Sequence, residues 1–105
     1  MTDLQKRQLI NAISYIIYSM VNEEGTALVT SNKVATIDSD GDITWENESE
    51  ATGEVIADSE AVFYYLDGGG KDSILYAIDN PDECAEDMVN CYYRDYSELI
   101  EELGH

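Results

Sequence analysis

Apolar positions between residues 2 and 24 fall at helical spacing. Leu9, Ile13, Ile16 and Met20 make one ridge, and Ile10, Ile17 and Val21 make a second beside it. Two adjacent ridges are the signature of a helix with one buried face. Lys6, Arg7, Asn11 and Ser14 lie off that stripe. Thr2 and Gln5 have the spacing of a capping box, and Gly25 is placed to end the helix in a left-handed conformation. Beyond it the period changes. Residues 26–30 are rich in β-formers, and 33–38 and 42–46 flank Ser39-Asp40-Gly41. Asp-Gly between two such runs is a strong hairpin signal. Residues 52–57 offer a further strand, which predicts an antiparallel meander.

Residues 59–79 carry two apolar runs, 61–66 and 73–78, around Gly68-Gly69-Gly70. Their aromatic and β-branched content favours two strands and a hairpin. A short helix over 59–66, stopped by the glycines, is the alternative. Residues 81–103 read as a second long helix. Asn80 and Glu83 have capping-box spacing, and Pro81 sits at the first helical position. Cys84, Met88, Cys91, Tyr92, Leu99 and Leu103 supply its apolar face. The expected architecture is an α+β domain spanning residues 1–105. It has an N-terminal helix, an antiparallel sheet of four to six strands and a C-terminal helix.

Charge changes the picture. Asp and Glu number 23 against 5 Lys and Arg, a formal charge of −18 on 105 residues, while 44% of residues are hydrophobic. Such apolar content is ordinary for a globular domain, so the chain is expected to fold and to carry its excess charge on the surface. Self-repulsion then opposes folding. A domain that tolerates this cost is expected to use it by binding something basic. No apolar run approaches the roughly 18 residues that cross a bilayer, and the N-terminus makes a poor signal peptide. A soluble, cytoplasmic protein is expected, with no membrane partner. Cys84 and Cys91 lie seven apart in the second helix. That places them roughly 10 Å apart along the axis, too far for a disulfide, so both are expected to be reduced and buried.

Catalytic patterns are sparse. The single histidine is His105, the last residue, which leaves every Ser and Cys without an evident activating base. A non-enzyme is expected, with no cofactor. Asp38-Ser39-Asp40-Gly41-Asp42 hints at a calcium loop. Aligning Gly41 as the sixth position puts Thr36 first and Asn47 twelfth, and both are wrong for an EF-hand. A hairpin turn with solvated aspartates accounts for the segment, and a calcium-binding or regulatory module is kept only as an alternative. Gly68-Gly69-Gly70-Lys71 lacks the remainder of a phosphate loop.

What remains is the acidic pattern. From Lys33 to Lys71 there is no basic residue. Asp38, Asp40, Asp42, Glu46, Glu48, Glu50, Glu54, Asp58 and Glu60 all fall at even positions. On a strand, residues two apart share a face at about 6.5–7 Å, a pitch comparable to that of successive phosphates in a nucleic-acid strand. The second helix adds Glu83, Glu86 and Asp87, then Glu98 and Glu102. Tyr92, Tyr93 and Tyr96 cannot all face one core. An exposed tyrosine such as Tyr93 among acids suits an arginine-bearing partner. Generic solubility is the competing account of the acids.

Small size, strong acidity and helix–sheet–helix order, with the acidic runs 38–60 and 82–102, resemble phage-encoded inhibitors that mimic DNA, anti-CRISPR proteins among them. The resemblance implies steric and electrostatic blocking of a nucleic-acid channel in a CRISPR effector, inside the host cytoplasm and without a cofactor. Immunity proteins that neutralise nuclease toxins share the composition, and that alternative stays open. The expected partner is a basic nucleic-acid-binding protein or ribonucleoprotein complex, with no direct binding to nucleic acid. The expected contacts are Asp38, Asp40, Asp42, Glu46, Glu48, Glu50, Glu54, Glu83, Glu86, Asp87 and Tyr93.

Overall fold

The first helix forms where its pattern places it. A computed structural model describes residues 2–91. Helix α1 (Asp3–Met20) starts at Thr2, whose hydroxyl accepts from the Gln5 backbone N–H at 3.1 Å, while the Gln5 side chain accepts from the Thr2 N–H at 2.9 Å. The two bonds satisfy amides that a helix start otherwise leaves open. Leu9, Ile13, Ile16, Ile17 and Met20 are fully buried. The helix ends at Met20 rather than near residue 24. Val21 is already extended and bridges Leu28. The Asn22 side chain accepts from the Thr26 and Ala27 amides at 2.8 and 3.2 Å. Gly25, with φ +69°, serves that turn and not a helix cap. The strand expected over 26–30 shrinks to this single bridge, because Asn22 takes amides that a ladder would need.

Strands β1 (Lys33–Ile37), β2 (Ile43–Asn47) and β3 (Glu54–Asp58) form one antiparallel sheet in the order β2-β1-β3. Among the described residues, three strands stand where four to six were expected. The β1–β2 hairpin turns at the predicted Asp-Gly, with Gly41 at φ +87°. Side chains alternate across β1. Ala35 and Ile37 join the core with Ile43, Ala57 and α1, while Val34 and Thr36 face away from α1 yet are only 2% exposed. For Thr36 the reason is the β2–β3 connection. Residues 48–53, opening with the 3-10 turn Glu48–Glu50, pass over this second face of β1. A Cβ on Gly53 would stand 2.6 Å from the Ile37 carbonyl oxygen. Gly53→Ala should therefore destabilise the fold by about 1–3 kcal/mol, read from equilibrium denaturation. A loss below about 0.5 kcal/mol would mean the crossover sits loosely.

Residues 59–67 and 70–79 are helical: the favoured hairpin is absent, and the alternative, a short helix from residue 59 stopped at the glycines, is what forms. Helices α2 (Ser59–Asp67) and α3 (Gly70–Asp79) take its place. Asp58 caps α2 by accepting from the Ala61 amide at 2.8 Å. Val62 and Leu66, one turn apart, are buried. The helical period thus overrides the β-preference of the aromatics, because packing against α1 decides it. Helix α4 (Pro81–Cys91) packs on α1, with the Ser14 hydroxyl donating to Asp82. Asn80 and Glu83, the expected capping-box pair, both engage Tyr76: the Asn80 amide donates to its carbonyl at 3.3 Å, and its hydroxyl donates to Glu83. Cys84 is buried but Cys91 is exposed, against the expectation that both are buried. The continuation of the helix to 103 lies outside the described residues. No helix among them is long and apolar enough to cross a membrane.

Candidate acidic interaction surface

Every described Asp and Glu is exposed except Glu46, which is half-buried. They do not form the expected row. Only Glu46, Glu54 and Asp58 lie on strands, so no strand presents successive carboxylates at strand pitch. The even-numbered spacing runs instead through a turn, a 3-10 turn and a helix start. Three groups result.

The first group sits at the tip of the β1–β2 hairpin. The Asp38 carboxylate accepts from the amides of Asp40 and Asp42, both at 2.9 Å. Helix α1 grips the same turn. Gln5 donates to the Gly41 carbonyl at 2.9 Å. Gln8 donates to Asp42 at 3.2 Å and accepts from the Ile43 amide at 3.0 Å. Glu54 pairs with Ile37 beside this tip and lines an open depression with Asp38, Ser39 and Gly53. Asp38, Asp40, Asp42 and Glu54 are therefore brought together on a hydrogen-bonded support. The Asp38 carboxylate is spent on the turn, so a hairpin turn accounts for the geometry of the apparent calcium loop. Among the described residues, no group of three His, Cys, Asp or Glu side chains is arranged to hold a metal ion. Asp38→Ala should cost about 1 kcal/mol, because it orphans two turn amides. Asp40→Ala should stay within about 0.5 kcal/mol of the parent, or stabilise it. Chemical denaturation of the two variants tests this division, and equal losses would contradict it.

The second group gathers at the opposite end of the sheet. Glu48 lies near Asp58 and Glu60 around a polar depression that also takes in Lys33 and Ser59. Glu50 accepts from the Asn47 amide at 3.1 Å. Asp58 and Glu60 were not among the expected contacts, and the Asp-Ser-Glu start of α2 was the signal that places them. Glu46 belongs to the fold more than to the surface. Its carboxylate accepts from the Thr36 hydroxyl at 2.9 Å and from the Thr52 amide at 3.2 Å, tying β2 to the crossover. The Thr36 hydroxyl is the main cause holding Glu46 below its ordinary value of 4.5; burial opposes it, and the Thr52 and Gly53 amides reinforce it. A carboxyl lowered on folding lends stability above its unfolded value and loses it as pH falls through its folded value. Glu46→Gln should thus destabilise the protein more at about pH 6 than at about pH 3, where the carboxyl is closer to protonation. Thermal melts at the two pH values check it, and a penalty equal at both would remove the ionised carboxylate from the account.

The third group lies on α4. Glu86 borders an open groove with Asp3, Lys6, Arg7 and Ile10 of α1. Glu83 and Asp87 are exposed one turn apart. Glu83 accepts from Tyr76, and that bond, followed by burial and nearby carboxylates, pushes the Tyr76 phenol up to about 12. Burial, followed by Asp87 and Glu83, raises the Cys84 thiol. Tyr93 lies outside the described residues.

Aromatics outside the expected contacts lie on the helix-facing side of the sheet. Tyr15 stacks on Trp45, with ring centroids 3.8 Å apart and planes 13° apart. Tyr18 follows one turn along α1, 6.5 Å from Tyr15 and 70% exposed. Helical spacing of Tyr15 and Tyr18 was legible, but their meeting with Trp45 depends on how α1 crosses β2. Compared with known proteins, the chain matches no family model, no curated protein sequence and no solved structure.

Proposed function

We propose that this protein is an acidic inhibitor that occupies the basic nucleic-acid-binding surface of a target protein and excludes DNA from it. The supporting observation is the exposure of the carboxylates on preorganised supports, above all the hairpin tip held by Asp38, Gln5 and Gln8. Fixed charges lose little freedom on docking, and their field speeds encounter with a basic surface. The reading needs no strand-pitch row. It asks for three acidic groups that a positively charged channel contacts in place of phosphates, with Asp40, Glu48, Glu54, Glu83, Glu86 and Asp87 as the principal contacts. A CRISPR effector is one target of this chemistry and a nuclease toxin is another.

The test is capture of partners from host lysate at low salt, followed by a salt gradient and by competition with duplex DNA. A nucleic-acid-binding protein released by both supports the proposal. Surface charge pairs weaken as salt screens them, so a partner indifferent to salt and DNA would overturn it.

A further inference from the structure

The acidic groups explain attraction to a basic surface but not discrimination between kinds of cation. The aromatic surface supplies that. The geometry points to Tyr18, Tyr15 and Trp45 as the platform on which an arginine side chain of the protein partner stacks. This inference rests on the proposed inhibitor reading and names the contact that reading lacks.

Three observations carry it. Tyr18 is 70% exposed and Trp45 is 38% exposed, so both rings present surface to solvent. A cation already lies against this surface: the Lys33 ammonium is 5.3 Å from the Trp45 ring centroid. Acids adjoin it. Asn47, which accepts from the Lys33 ammonium, donates to the Glu50 carboxylate at 3.1 Å, and Glu48 lies near Lys33 around the same depression. Lys33 thus joins the rings to Glu48 and Glu50. Arginine suits the site better than lysine, because its planar, weakly hydrated guanidinium stacks on an aromatic face while donating to carboxylates.

Trp45 is the single tryptophan of the chain, so its fluorescence reports this site alone. The experiment titrates the full chain at low salt with two peptides of equal length and charge, one alternating arginine with serine and one alternating lysine with serine. The arginine peptide should perturb Trp45 emission and bind about three- to ten-fold more tightly. Tyr18→Ala should erase that preference while keeping the charge-driven binding common to both peptides, and Tyr18→Phe should retain the preference. Equal affinities with silent Trp45 emission would overturn the platform and leave the acidic inhibitor standing. Failure of both peptides to bind would overturn both readings. Trp45 emission that changes with protein concentration alone, together with a dimer in sedimentation, would make the rings a self-contact and overturn the platform.

Discussion

Reversing Asp40, Glu48, Glu54 and Asp87 together to lysine should weaken binding to the captured partner by roughly a thousand-fold, on the basis of about 1 kcal/mol for each like-charge contact created. These four carboxylates are exposed, and none supplies the turn, cap or crossover bonds of Asp38, Asp58 and Glu46. The fold should therefore survive. Its melting temperature should hold or rise, because the substitutions relieve repulsion within a chain of charge −18. The residual binding should also depend less on salt, since fewer screened pairs remain. Calorimetric titration across a salt series measures both quantities on one sample. Affinity within about two-fold of the parent would remove these acids from the interface. A fall in affinity accompanied by loss of the fold would instead place them among the structural acids.

The division between structural and free acids shows where sequence reasoning reaches and where it stops. Helix α1 was legible because its apolar stripe, its cap and its length agree. The Asp-Gly turn was legible because two β-runs flank it at hairpin spacing. Local pattern gave the wrong answer at 61–66, where Phe63-Tyr64-Tyr65 suits a strand. Asp58 caps a helix there, and Val62 and Leu66 find α1 at helical spacing. The alternation of acids from Asp38 to Glu60 misled for a related reason. Period two means one face only if the chain stays extended, and this chain turns at Asp38–Asp42 and again at Glu48–Glu50. Burial of Thr36 was beyond sequence alone, because a crossover six residues long covers it.

Ile17→Ala tests whether that core leaves any reserve. Ile17 is fully buried within the cluster that α1 shares with the sheet and with α2, α3 and α4. Truncating such a side chain costs about 2–5 kcal/mol, against a typical total of about 5–15 kcal/mol. Repulsion among the acids draws on the same reserve, most strongly at low salt. The variant should therefore be partly unfolded at low ionic strength and recover cooperative unfolding as salt is added. A partner that binds only the folded chain should restore it too, by mass action. Circular dichroism melts across a salt series, with and without partner, follow both effects. A loss below about 1 kcal/mol would mean that α1 is not the hub of the core. A loss that salt does not ease would mean that the acids are spaced widely enough to cost the fold little. The two substitution sets then separate cleanly: the charge reversals keep the fold and lose the partner, whereas Ile17→Ala loses the fold and regains it on the partner.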